Sequence, residues 1–206
     1  EVNSEPKAVA SFVLKPGYHL QNSSKGFSLG YRARKNVNGV YIYGFVSCGH
    51  GNSSGDTIRY ASSNGTVLGS VYNSILNSEV DACFVATNDS TSVSNSVNGT
   101  GINLYATCDV NTNETVCFRG WVNSLTNMTV ISTNATAFIY DANVSYITNL
   151  IQTTGSISSG DSGGILYLKI SSSQGKVVGI AESGSSSYSF FVKKATIQSK
   201  LGVAFY

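Results

Sequence analysis

The sequence predicts an all-β protein laid out in two halves of near-equal length, and three observations carry that prediction. Short runs of β-branched and aromatic residues recur along the chain, each bounded by clusters of Gly, Ser and Asn. The runs cover Ala10 to Leu14, Gly39 to Val46, Thr66 to Val71, Ala82 to Ala86, Val116 to Val122, Ala137 to Tyr140, Ile165 to Ile170 and Val177 to Ala181. The stretch from Asn88 to Gly101 is polar and poor in apolar residues, which marks it as the connection between units 1–95 and 96–206. At 206 residues the chain can bury a sizeable core, either as one large β unit or as two small barrels sharing an interface.

Only the tail departs from strand character. From Val192 to Leu201 the apolar positions Val192, Ala195, Ile197 and Leu201 fall on one helical face with lysines opposite, and a short C-terminal helix is expected there.

Composition narrows the function classes. Charged residues make up 12% of the chain and sum to +2, scattered without a stripe that would follow a phosphate backbone or an anionic bilayer. Nucleic acid and membrane are therefore excluded as expected partners, and no segment reaches the ~18 apolar residues of a spanning helix. The chain starts at Glu1 without a Met, a basic stretch or an apolar leader, so any signal or pro-segment is expected to have been removed or left out. Asn-x-Ser/Thr acceptors stand at Asn22, Asn52, Asn64, Asn88, Asn98, Asn113, Asn127, Asn134 and Asn143. Their density favours a glycosylated, secreted, extracellular protein over a merely Ser- and Asn-rich bacterial surface. In that setting Cys48, Cys83, Cys108 and Cys117 favour two disulfides over a metal site, since no Cys or His pair has zinc-ligand spacing.

The segment Ser159-Gly160-Asp161-Ser162-Gly163-Gly164 is the most specific feature. Glycines around a serine allow a tight turn, expose the hydroxyl and aim the amides of Gly160 and Ser162 at one point, where a carbonyl oxygen could become an oxyanion. A serine hydroxyl needs a base, and His19 and His50 are the two histidines. His50 is the better candidate because it ends the apolar run Phe45-Val46-Ser47-Cys48-Gly49-His50-Gly51, whereas His19 sits in a polar stretch. The imidazole in turn needs a carboxylate on its second nitrogen. Asp81 opens the apolar run Asp81-Ala82-Cys83-Phe84-Val85, while Asp56, Asp89 and Asp109 belong to solvated loops.

The order His, Asp, Ser, with Cys-Gly-His-Gly, Asp-Ala-Cys-Phe-Val and Gly-Asp-Ser-Gly-Gly, resembles the chymotrypsin-like serine proteases. Within them the streptogrisin and alpha-lytic protease branch is the most similar, through Val116-Cys117-Phe118-Arg119-Gly120, Ser189-Phe190-Phe191 and Leu201-Gly202-Val203. The resemblance implies two antiparallel six-stranded barrels, an inter-barrel catalytic crevice, peptide hydrolysis through an acyl-enzyme, and no cofactor or metal. It implies a protein or peptide as substrate, a monomer, and a pro-segment or protein inhibitor as the other class of partner. By family position Ser156, Ile157, Glu182, Ser183, Gly184 and Ser189 would line the primary substrate pocket. No aspartate stands at its base, so small or apolar side chains are the expected preference, with Glu182 a negative wall if it points inward.

Departures from the family pattern are specific. Gly51 stands where a Cys usually follows the histidine, and Ser158 and Ser159 stand where a Cys usually precedes the nucleophile motif. If Asp81 takes the amides of the Gly49-His50 turn, as the resemblance implies, Cys48 and Cys83 become cross-strand neighbours and a disulfide pair. Cys108 and Cys117 form the other expected pair, across the loop-length stretch Asp109 to Val116. Asp161, if buried, requires a partner, for which the resemblance offers Arg119. Two other readings stay open at this stage: a catalytically inactive barrel of the same fold used for binding, and a glycan-rich adhesive β-domain.

Overall fold

The computed structural model describes residues 12–139 and 144–206, so Ala10, Ser11, Tyr140 and Asn143 lie outside the described residues. The elements in chain order are β1 (Phe12–Leu14), β2 (His19–Gln21), β3 (Gly26–Ser28), β4 (Tyr31–Val37), β5 (Val40–Ser47), β6 (Thr57–Tyr60), β7 (Val67–Leu76) and β8 (Asp81–Thr87). There follow β9 (Thr91–Val93), β10 (Asn103–Thr107), β11 (Thr115–Arg119), β12 (Ser124–Phe138), β13 (Tyr146–Thr154), β14 (Ile165–Lys169), β15 (Gln174–Gly184), β16 (Tyr188–Lys193) and α1 (Lys194–Leu201).

Two seven-stranded sheets result. The first runs β3-β2-β6-β7-β8-β5-β4 with every pair antiparallel. In the second, β15-β14-β11-β12-β13-β16 closes on itself through β15–β16, giving a six-stranded antiparallel barrel. β10 adds in parallel to the start of β15, outside that closure. The polar connection is not wholly irregular, because β9 lies within it and pairs in parallel with β1.

Period-2 alternation explains how one strand serves two cores. On β5 and β8, Phe45, Cys83 and Val85 face the interior of the first sheet with Leu20, Leu29, Ile58 and Leu68. Their neighbours Val46, Ala82 and Phe84 face outward, yet join a cluster with Ile165, Tyr167, Ile180 and Val192 of the second sheet. That shared cluster is the interface, and it makes β8 a continuous apolar run rather than an alternating one. A third cluster, with Phe118, Val130, Leu166 and Phe191, fills the second barrel. Helix α1 begins two residues later than its apolar spacing predicts, because Val192 is the last-but-one residue of β16. It docks Ile197 and Leu201 into the shared cluster, leaves Ala195 exposed, and ends at Gly202 in a left-handed conformation.

The long strand β12 carries little apolar signal. Its sequence Ser124-Leu-Thr-Asn-Met-Thr-Val-Ile-Ser-Thr-Asn-Ala-Thr-Ala-Phe138 buries only Met128, Val130 and Ala137 and is interrupted by irregularities against β13. The apolar run at Ala137 is therefore the end of β12, not a strand of its own.

Candidate functional site

Asp81 reaches its place through a hairpin. The β7–β8 turn is pinned by Asn77, whose Oδ1 accepts the amides of Glu79 and Val80 at 2.9 and 3.0 Å, and Leu76 pairs with Asp81 at the first rung. Gly49 lies flat across this hairpin: a Cβ there would stand 2.4 Å from the Ile75 carbonyl oxygen and 2.9 Å from the Ala82 nitrogen. Only glycine permits that approach. It brings the amides of Gly49 and His50 onto Asp81 Oδ1 at 2.6 and 2.7 Å, while Asp81 Oδ2 meets His50 Nδ1 at 2.5 Å. Asp81 is fully buried, whereas the His50 side chain is 30% exposed. One carboxylate thus fixes both the turn and the imidazole it presents.

Burial pulls the His50 pKa down, but the charge of Asp81 and its hydrogen bond more than offset this, and the net direction is upward. Glu182 adds to the rise and Lys25 opposes it. Glu182 is itself buried, and burial pushes its carboxyl up to about 7, with the Ser183 hydroxyl pulling the other way.

The His50 turn has two braces that sequence reading assigned to glycans. Asn22 Nδ2 donates to the Gly51 carbonyl at 2.6 Å and to Asn52 Oδ1 at 3.0 Å, and Asn52 Nδ2 donates to the Cys48 carbonyl at 3.1 Å. Asn22 and Asn52 are buried. A glycan on either Nδ2 would have no room and would break these bonds, which corrects both expected acceptors. Asn64, Asn113, Asn127 and Asn134 are exposed; Asn88 and Asn98 are half-buried. The sequence signal available was the position of Asn52, directly after the Cys48-Gly49-His50-Gly51 motif it braces.

The nucleophile turn is tied to the first sheet from several sides. Ser28 N donates to the Ser162 carbonyl at 2.8 Å. Ser28 Oγ donates to the Gly160 carbonyl at 2.8 Å and accepts the Trp121 amide at 2.9 Å. Gly163, with φ +82°, lies so close to the end of β5, just before the His50 turn, that a Cβ would stand 2.2 Å from Ser47 Oγ and 2.8 Å from the Cys48 amide nitrogen. The amides of Asp161, Gly163 and Gly164 all donate within the protein, to Ser158, Ala181 and Asp161 carbonyls. Among the described residues those of Gly160 and Ser162 have no recorded acceptor, which leaves two donors in the turn free for an oxyanion. Ser162 Oγ donates to the Glu182 carbonyl at 3.5 Å and, among the described residues, not to His50. Such contacts are often long without substrate and tighten when one is bound.

Asp161 is fully buried and needs no cation. Its Oδ1 accepts the amides of Val122 and Asn123 at 3.1 and 3.0 Å, and its Oδ2 accepts Asn123 Nδ2 at 2.5 Å and the Ser158 amide at 3.0 Å. Arg119 is therefore not its partner. The side chain of Arg119 lies against Gly17, and its Nε is buried without a hydrogen-bond partner among the described residues. Ser28, Trp121 and Asn123 escaped sequence reading because ordinary polar and aromatic residues carry no mark of what they will touch. His19 lies in β2 and stacks on Trp121, with ring centroids 4.1 Å apart. It is not the histidine held by Asp81.

All four cysteines are free thiols, which corrects both expected disulfides. The β5–β8 register pairs Cys83 with Ser47 rather than with Cys48, so the two sulfurs share a core without standing opposite one another. Cys117 points into the shared cluster beside Tyr167, whereas Cys108 packs against the barrel interior on the other side of the sheet. Burial, and then the Asp81 charge, push the thiols of Cys48 and Cys83 up.

The six expected pocket residues separate into two sets. Glu182, Ser183 and Gly184 line an open cavity of about 530 Å³ together with His50. Ser156, Ile157 and Ser189 close up instead. Ser156 Oγ donates to the Ser185 carbonyl at 2.7 Å, buried Ser189 donates to the Gly155 carbonyl at 2.8 Å, and Ile157 packs against Gly184.

Two β-sheets, one of them a closed six-stranded barrel, packed together through a shared apolar cluster define the fold of the chymotrypsin-like serine proteases. Among solved structures the chain is similar to Thermobifida fusca protease A, with a TM-score of 0.77 and 22% identity over 93% of this chain and 97% of that one. It is similar to the chymotrypsin of Cellulomonas bogoriensis, at 0.76 and 22% over 95% and 99%, and to Nocardiopsis protease, at 0.75 and 22% over 93% and 97%. No protein-family model and no curated protein matches the sequence.

Proposed function

We propose that the protein is a serine endopeptidase in which Ser162 is the nucleophile, His50 the general base and acid, and Asp81 the carboxylate that orients the imidazole. The observation that carries this reading is the Asp81 arrangement. A buried carboxylate that binds two backbone amides and His50 Nδ1 leaves Nε2 as the nitrogen available to exchange a proton.

In the proposed reaction the Ser162 oxygen forms a bond to the substrate carbonyl carbon while its proton passes to His50 Nε2. The carbonyl oxygen becomes an oxyanion and accepts from the amides of Gly160 and Ser162. His50 then gives the proton to the leaving amine as the C–N bond breaks, and an acyl-enzyme remains. Water repeats the sequence, losing its proton to His50, and the Ser162 oxygen departs with that proton. The closed contact of Ile157 with Gly184 leaves little depth beside the nucleophile turn, which supports cleavage after small residues.

Ser162→Ala is the direct test. Turnover of alanine-containing peptides should fall by about 10⁴-fold or more while the thermal unfolding profile stays unchanged. Turnover equal to that of the parent would end the peptidase reading. Export and glycosylation are proposed with it, supported by the exposed acceptors Asn64, Asn113, Asn127 and Asn134. An endoglycosidase that leaves the mass of the native protein unchanged would contradict that part.

A further inference from the structure

The cavity beside His50 has a chemistry that proton transfer does not require. It is lined on one side by Glu182, Ser183 and Gly184 from β15 and by Phe190 from β16, and on the other by Ala137, Phe138 and Ile139 at the end of β12. Its volume of about 530 Å³ is in the range that encloses a small ligand or a long side chain. The lining mixes apolar side chains with the hydroxyls of Thr136, Ser183 and Ser185, and Phe138 is 81% exposed among the described residues.

Among these lining residues stands one acid. Glu182 is 4% exposed, and the recorded hydrogen bond to its carboxyl comes from the hydroxyl of the next residue, Ser183. Among the described residues it forms no ion pair. The neighbouring carboxylate, Asp81, is already occupied by three donors behind His50. Lys25 also lines the cavity, but it is exposed, so its ammonium is screened by solvent while Glu182 acts from a poorly solvated wall. The carbonyl of Glu182 accepts from Ser162 Oγ, so the cavity opens within one residue of the nucleophile.

We propose that this cavity binds the cationic side chain of a lysine or arginine of the peptide substrate, with its aliphatic stem between Phe190 and Phe138 and its charge on the Glu182 carboxyl. The inference rests on the peptidase reading and adds a second specificity determinant beside the scissile residue. An apolar stem under a charged head suits a pocket that offers the Phe138, Ile139 and Phe190 side chains and one buried acid, and the exposed Phe138 offers a further surface to the cation. A bound cation favours the ionised carboxyl, so affinity should strengthen as pH rises through about 7, where Glu182 loses its proton. His50, Lys25 and Asp81 are the other charged or titratable groups facing Glu182, and of these His50 is itself held above the ordinary imidazole value by Asp81.

The test uses fluorescent peptides that carry alanine at the cleaved position and lysine, norleucine or glutamate at each of the three preceding positions. Binding is read by anisotropy on Ser162→Ala and on Ser162→Ala/Glu182→Gln at pH 6 and 8, and cleavage is read separately on the parent protein. At one position lysine should bind about tenfold more tightly than norleucine at pH 8, the ratio should shrink at pH 6, and Glu182→Gln should abolish it. Equal binding of lysine and norleucine at all three positions, or a ratio that survives Glu182→Gln, would overturn the inference. Peptides cleaved without a lysine preference would overturn it while leaving the peptidase reading intact. Preferential lysine binding without any cleavage by the parent protein would sustain the cavity and reject the peptidase.

Discussion

The hydroxyl of Ser28 donates to the Gly160 carbonyl at 2.8 Å and so holds, from the first sheet, the turn of the second that carries Ser162. The same hydroxyl accepts the Trp121 amide, and the Trp121 indole lies where a Gly160 Cβ would be, 2.4 Å from Nε1. Ser28→Ala would leave a part-buried carbonyl and a part-buried amide without this partner and free the turn to rotate. Turnover of a peptide substrate should fall by about 10- to 100-fold with KM changed by less than about threefold, because the loss lies in oxyanion placement. An unchanged turnover number would separate Ser28 from the site.

Gly163→Ala tests how tightly the two sheets are closed at the cleft. The added methyl would meet Ser47 Oγ and the Cys48 amide nitrogen below any tolerable distance, at a backbone position with φ +82° that disfavours side chains. A loss of about 3 kcal/mol or more is expected, together with loss of activity, and a urea titration measures it. A midpoint within error of the parent protein would contradict the packing.

Asp161→Asn places an amide group among four N–H donors. One donor pair would face another, and stability should fall by about 2–4 kcal/mol. Arg119→Ala should not share this effect through Asp161, since the two do not pair. A denaturation series on both variants, with a double mutant for coupling, distinguishes the arrangements.

Activity should rise with pH through the His50 titration, with a midpoint above the ordinary imidazole value of 6.5, because only the neutral ring can take the hydroxyl proton. Stability should run the other way. Glu182, raised from 4.5 to about 7, contributes stability that is complete below pH 4.5 and is lost as pH rises to 7. His50, also raised, adds a loss that begins near 6.5. Glu182→Gln should therefore match the parent in acid and exceed it above pH 7, by ~2–3 kcal/mol in a thermal or denaturant titration. A variant less stable than the parent at pH 8 would contradict the assignment.

The features legible in the sequence were those with local cause. Strand β8 was readable because burial on both faces leaves Ala82 to Val85 unbroken by polar residues. Gly160, Gly163 and Gly49 signalled tight backbone, and each meets a neighbour that excludes a side chain. Strand β12 was not readable, since its Thr and Asn residues face solvent and only tertiary pairing holds them extended. Asn22 and Asn52 misled for a related reason: a sequon records a modification signal, but burial and the bonds to Gly51 and Cys48 are decided by residues far apart in the chain. The disulfide expectation failed by a single residue of register, with Cys83 opposite Ser47.

The central claim is that Ser162 is a nucleophile activated by His50, and a fluorophosphonate probe measures this most directly. Intact-mass and peptide analysis should show one adduct per chain, at Ser162, formed faster as pH rises through neutrality and abolished by His50→Ala in a protein that still unfolds cooperatively. A folded parent protein that stays unlabelled over hours, or that is labelled at another residue, would contradict the account.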